Sequence, residues 1–257
     1  MAAAKTAERL LFDIVHDIAA DGLRAGDRLP PQAELMRRYG VGATPLREAL
    51  RMLELAGLVS ARPGPSGGVF VQPADAEHLA ALVAPFLCLA GVTYGQLLDA
   101  WAATEPLLAQ AAAANPDRRA VAAELAAFAG EPDSEEPVRG VEAVDFHDAV
   151  ARAAGNPALG LVAQVLSYVV TDLYWRSTDS GPAGGGVRRD HREIARIILA
   201  GDARGARDEM ESHARGTAGE ILARVGHTRD EPFVWLRPPA GRAVYRQRSP
   251  SAGGSTK

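Results

Sequence analysis

Apolar positions repeat at helical spacing from the start of the chain: Leu10, Leu11, Ile14, Val15 and Ile18 recur with acids between them, which predicts an amphipathic helix. Pro31–Tyr39 reads as a second, short helix and Thr44–Leu53 as a third, with Gly40-Val41-Gly42 as the sharp turn between them. Thr44 suits the N-cap of the third helix and Pro45 its first position, where a missing N–H costs nothing. Leu35, Val41, Leu46, Leu50 and Leu53 would pack this pair onto the first helix, leaving Thr44, Arg47, Glu48 and Arg51 outside. Alternating strand patterns are almost absent. The exception is GGVFVQ, residues 67–72, which pairs plausibly with LVSAR, residues 58–62, across the turn PGPSG.

Beyond Pro73 the pattern is helical again, and Asp75 is a fair N-cap for a helix starting near Ala76. Periodic apolar segments fall at about 76–90, 93–114, 117–129, 138–154, 157–178, 187–200 and 203–225, separated by glycine, Asn-Pro and acidic breaks. Seven such helices make a bundle large enough to hold an internal cavity. After Gly226 the period fails, and a mixture of Pro, Gly, Arg and Ser predicts a mostly disordered basic tail. Phe233–Leu236 within it is apolar enough to dock. The expected fold is mainly α: residues 1–75 form one domain with a small hairpin, 76–225 an antiparallel all-helical bundle, and 226–257 the tail.

Composition narrows the function classes. The 257 residues are 47% hydrophobic, yet no run approaches the roughly 18 apolar residues of a membrane span, and the acid-interrupted first helix is unlike a signal peptide. A membrane role is not expected. The lone Cys88 rules out an intrachain disulfide and fits a small buried hydrophobe in a reducing cytoplasm. Net charge is −4, but residues 1–75 carry nine basic and nine acidic groups, 76–225 thirteen and twenty-one, and 226–257 six and two. The local surface of the first domain, and not the global charge, decides whether the partner is nucleic acid.

That surface is informative. A helix presented N-terminus outward with polar side chains at its start matches the element that enters the major groove in a helix-turn-helix, and the hairpin would lie beside it as a wing. Gly64, Gly67 and Gly68 would allow close approach to a phosphate, and Arg62 could neutralise one. The stretches Asp27-Arg-Leu-Pro, Thr44-Pro-Leu-Arg-Glu-Ala-Leu, Leu53-Glu-Leu-Ala-Gly-Leu-Val and Gly67-Gly-Val-Phe-Val together resemble the winged helix-turn-helix of GntR-family bacterial transcription regulators, without gaps over about 27–71. The resemblance implies operator contacts from Thr44 and Arg47. Ala33 and Ala43 stand where the family commonly has two further arginines, so the operator would be unusual, or Gln32, Arg37, Arg38 or the basic tail would compensate. Arg51, Arg62 and Gly67 complete the expected DNA-facing set.

Three histidines, His147, His191 and His213, lie on three different predicted helices. A single helical histidine is ordinarily a solvated or satisfied side chain. In the context of Phe146-His147, Gly155-Asn156-Pro157, His191-Arg-Glu-Ile and His213, however, the second domain resembles the FCD effector-binding domain of the FadR subfamily. The resemblance implies an antiparallel bundle in which one Asp and three His hold a divalent metal, often zinc or nickel, beside the effector. Here the Asp position is Ala143. Glu142 and Asp145 cannot replace it, because they point about 140–160° away from His147 along the helix. The expected site has three protein ligands, binds metal more weakly, and can stand empty. Glu105 matches a family glutamate, and Trp101 stands four residues before it, where the family often has an Arg that holds an effector carboxylate. Trp101 would remove that cation and add an apolar wall, which favours a larger, less anionic effector such as an acyl or lipid-derived molecule.

The expectation is a ligand-responsive, sequence-specific DNA-binding regulator, a repressor acting as a homodimer on a palindromic operator in the bacterial cytoplasm and associated with the nucleoid when bound. It is not expected to be an enzyme. One alternative is a metal-free regulator sensing a lipid-like ligand. Another is a metallohydrolase using the three histidines, with Asp190 or Asp145 as general base.

Overall fold

The structure, a computed structural model, describes residues 2–64, 66–73, 76–130, 140–176 and 185–235. Among these residues the chain is helical apart from one antiparallel hairpin, and it divides into two units, residues 1–82 and 83–257. Asp75, the expected N-cap, lies outside the described residues, as do the acidic loop 131–136 and the tail beyond Trp235.

In the first unit, α1 (Ala2–Ala20) carries Leu10 and Ile14 into a core with Leu35 of α2 (Gln32–Tyr39) and Leu46, Leu50 and Leu53 of α3 (Ala43–Leu55). Gly40 ends α2 in the left-handed region at φ 64°, a conformation that costs a side-chain-bearing residue more than glycine. The start of α3 differs from expectation. Its N-cap is Gly42, with no side-chain cap, so Thr44 is inside the first turn and does not cap it. Pro45 then sits at the third helical position, still among the first-turn N–H groups that have no intrahelical partner, so its missing donor remains harmless.

The hairpin forms as predicted. β1 (Val59–Arg62) pairs with β2 (Gly68–Val71) in the register Val59↔Val71 to Arg62↔Gly68. The segment 26–29 adds to it, a pairing that carries no alternation in the sequence: Gly26 N–H donates to Val71 O at 2.9 Å, Val71 N–H to Asp27 O at 2.9 Å, and Leu29 N–H to Val69 O at 2.8 Å.

The second unit is built from α5 (Tyr94–Ala114), α6 (Arg118–Ala129), α7 (Gly140–Ala153), α8 (Pro157–Arg176), α9 (Gly185–Ala200) and α10 (Ala203–Val225), entered from α4 (Ala76–Leu89). Thr93 opens α5 with a reciprocal capping box with Gln96. Alanines dominate the core around Leu108, Leu125, Phe146, Ile194, Ile198 and Met210, so the helix backbones approach closely and histidines on different helices can meet. One end of the bundle is tied by Arg118, which donates to Ala113 O at 3.0 Å, Ile198 O at 2.8 Å and Leu199 O at 2.9 Å, satisfying C-terminal carbonyls of both α5 and α9.

Residues 226–235 run back along the α4–α5 turn instead of leaving the bundle at Gly226. Tyr94 N–H donates to Glu231 O, Gly95 N–H to Arg229 O and Phe233 N–H to Val92 O. Phe233 is buried, Tyr94 stacks on His227, and Arg229 grips Asp99 through both carboxylate oxygens. Cys88, expected as a buried hydrophobe, is half-buried at this turn, with Trp235 N–H directed at its sulfur at 2.9 Å. No helix among the described residues is long and apolar enough to cross a membrane.

Candidate functional site

Two candidate sites stand out, one in each unit. In the first unit, α3 turns Leu46, Ala49, Leu50 and Leu53 inward, which leaves Thr44, Arg47 and Arg51 exposed along its outer face. Gln32 and Arg37 are exposed on α2. Arg38 is engaged within the unit: its guanidinium contacts Asp17 at 2.9 Å and Asp21 at 3.0 Å, both on or just after α1, while Tyr39 Oη donates to the same Asp17 at 2.8 Å. The Asp21 hydrogen bond raises the Arg38 pKa, and burial together with Asp17 raises that of Tyr39, so both groups keep their protons. Arg62 is exposed at the end of β1 and lies over the Phe70 ring at 4.4 Å. Gly67 is buried in its own turn, where a Cβ would lie 2.2 Å from Arg62 O. Turn packing therefore accounts for this glycine.

In the second unit, the three histidines converge. His147 of α7, His191 of α9 and His213 of α10 are all buried, and one ring nitrogen of each lies within 4.8 Å of the others. His191 Nε2 and His213 Nε2 are 3.1 Å apart. Glu105 of α5, 1% exposed, reaches His147 Nδ1 at 2.8 Å. Asp190 Oδ2 lies 3.5 Å from His213 Nδ1, and His191 stacks on Phe146 at 4.0 Å between ring centroids. Asp148, buried beside His147, accepts from Gln164 and from Tyr168 Oη, each at 2.9 Å. Half-buried Asp145 is outside the cluster, and Ala143 and Glu142 lie on α7 in a stretch whose side chains are not described.

The electrostatics divide the three rings. Burial, then the positive charge of His147, hold His191 well below the usual imidazole range and His213 down at about 4, despite Asp190. Burial opposes charge on His147 too, but the Glu105 carboxylate, with help from Asp148, outweighs it and raises that pKa.

Trp101, 3% exposed, packs its ring against His147 with centroids 5.8 Å apart, and its Nε1–H is buried without a hydrogen-bond partner among the described residues. The expected apolar wall therefore carries an unsatisfied donor, which is rare in a folded core. A cavity of about 200 Å³ opens beside His213, lined by Asp190, Glu209, Ser212, Thr217 and Glu220. Sequence reading missed Asp190 as a partner of His213, and Asp148 altogether. Acids at these positions look like any solvated helix face until neighbouring helices are placed.

A winged helix-turn-helix with an exposed polar recognition helix, followed by a helical bundle around a buried imidazole cluster, defines a DNA-binding transcription regulator with a sensing domain. Residues 6–71 match the bacterial regulatory proteins of the gntR family, and residues 96–216 match the FCD domain. The chain therefore carries a GntR-family helix-turn-helix and an FCD domain, the two parts of a GntR-type transcription regulator. It is 28% identical over 214 residues to the HTH-type transcriptional regulator Rv0494 of Mycobacterium tuberculosis, covering 82% of this chain and 87% of that one. It is also 28% identical to the Uxu operon transcriptional regulator of Escherichia coli K12, over 77% of this chain and 79% of that one. Among solved structures, Streptococcus agalactiae GntR shares the fold with a TM-score of 0.58 at 21% identity, covering 83% of this chain and 99% of that one.

Proposed function

We propose that this chain is a FadR-type repressor that binds a palindromic operator as a homodimer in the cytoplasm, and that a small effector held in the FCD bundle changes its hold on DNA. The supporting observation is α3, whose apolar face is sealed into the core while Thr44, Arg47 and Arg51 stand free along the opposite face. Two such helices related by a two-fold axis would meet successive major grooves about 34 Å apart. Exposed Gln32 and Arg37 would supplement them, and exposed Arg62 would serve the DNA backbone beside the wing. Arg38 is held by two carboxylates, which favours an anchoring role for it over a phosphate contact.

The imidazole cluster suits a divalent zinc or nickel ion, because three buried imidazole nitrogens are donors these ions favour. His147, His191 and His213 would hold it, and with no Asp in the set the remaining position is left to water or effector. When bound, the ion supplies a Lewis-acidic position for an oxygen donor. The unpartnered Trp101 Nε1–H beside His147 favours an effector that brings a hydrogen-bond acceptor of its own. Both features fit an acyl or carboxylate-bearing molecule. Differential affinity of that molecule for two placements of the winged units would be the whole of its leverage on DNA binding.

Selection of bound fragments from sheared genomic DNA tests the reading: one or a few palindromic promoter fragments should be enriched over random duplex at moderate salt. Equal recovery of all fragments, with and without cell extract, would sink it. Metal analysis of the purified protein, with His147→Ala as reference, tests the centre separately and divides the metal-bound reading from a metal-free lipid sensor.

A further inference from the structure

We infer that Glu105 and Asp190 are positioning residues for the three-histidine centre, each holding the Nδ1 edge of one imidazole so that Nε2 faces the shared point. The inference rests on the metal-binding reading above and goes beyond it, since it assigns work to two carboxylates that are not ligands.

Glu105 Oε2 is 2.8 Å from His147 Nδ1, and Asp190 Oδ2 is 3.5 Å from His213 Nδ1. An imidazole whose Nδ1–H donates to a carboxylate is fixed in one tautomer, with the lone pair on Nε2, and its basicity toward a metal rises. The His213 nitrogen that meets His191 is indeed Nε2. The two anchors come from separate helices: Glu105 reaches across from α5, while Asp190 precedes His191 on α9 and reaches to α10. They also differ in strength. Glu105 is almost fully buried at a short distance, whereas Asp190 is about one-third exposed, sits farther from its ring and lies 3.8 Å from Arg189 Nε. A carboxylate as buried as Glu105 has a high cost of burial unless a ring N–H or a cation answers it, and His147 gives that answer.

These anchors also bear on the missing fourth ligand. With alanine at 143 and no α7 carboxylate in the cluster among the described residues, the two outer carboxylates would supply negative charge from across the imidazole rings.

The test uses full-length protein stripped with a chelator, reloaded with Co(II), and titrated against a chromophoric competitor. E105A should weaken Co(II) binding about 10–100-fold and shift the visible ligand-field bands, with D190A losing less, about tenfold. E105Q, which keeps an acceptor but loses the charge, should fall between wild type and E105A. A purely structural role would lower the melting temperature of the metal-free protein without changing the band positions. Wild-type affinity and bands in both alanine variants would overturn the inference while leaving the metal centre standing. Failure of the wild type itself to take up Co(II) would overturn both. If E105A loses its helical circular dichroism, E105Q decides: weakened binding supports the assignment, and unchanged binding and bands overturn it.

Discussion

Arg47 and Arg38 show how little a residue type says before its neighbours are known. Both are exposed arginines on the helix-turn-helix, yet among the described residues Arg38 is paired by two carboxylates and Arg47 by none. Removing one arginine that reads a base should cost about 1–3 kcal/mol, so Arg47→Ala should weaken binding to the selected operator roughly 5- to 150-fold in fluorescence anisotropy. Arg38→Ala should instead lower the melting temperature of the winged unit and leave the ratio of operator to random-DNA affinity unchanged. The buried histidines predict a pH response in the metal-free protein. His191 and His213 have folded pKa values below the unfolded value near 6.5, so the unfolded chain takes up protons first and stability falls as pH drops below that point. His147 is shifted the other way. It is protonated in both states below pH 6.5, so its contribution is constant there. Thermal melts in chelator should therefore decline from about pH 6.5 toward pH 5, and a flat profile would contradict this account.

Helices, turns and hairpin were legible because each signal is local. The segments predicted from periodicity match α4 to α10 to within a few residues, since a 3.6-residue period and its Gly, Pro or Asp stops are written into adjacent positions. The N-terminus of α3 was misplaced by a residue or two because an extended glycine can cap a helix with no side chain to announce it. The pairing of residues 26–29 with β2 was missed for a related reason: a short edge segment needs only backbone groups. The wing's turn gives a prediction at this level. Gly67→Ala would place a methyl 2.2 Å from Arg62 O, so the turn must open and Arg62 must shift. Operator affinity should fall several-fold while the bundle's melting transition is unchanged, as read by anisotropy and calorimetry on one sample.

Long-range ties hold the bundle and set what it can sense. Arg118 donates to the end of α5, five residues back, and to the end of α9, eighty residues on, and hydrogen bonds from a charged donor are each worth about 1.5–3 kcal/mol. Arg118→Ala should destabilise the bundle by about 2–3 kcal/mol in urea titration, discounted for the part of the side chain that solvent reaches. Metal removal should act on the same unit: if the centre is loaded, a chelator should lower the bundle's melting temperature and leave that of the winged unit in place.

What the sequence determined by itself was the list of elements, their order, and the types of residue on each, because periodicity, caps and turn residues act over a few positions. Tertiary structure alone decided that three histidines share one point, that Glu105 and Asp190 stand behind two of them, that the Trp101 donor has no partner among the described residues, and that residues 226–235 return to α5. A helix's own pattern fixes which of its faces is apolar, but its neighbours and its rotation against them come from packing closely matched alanine-rich surfaces, and that choice depends on every helix at once.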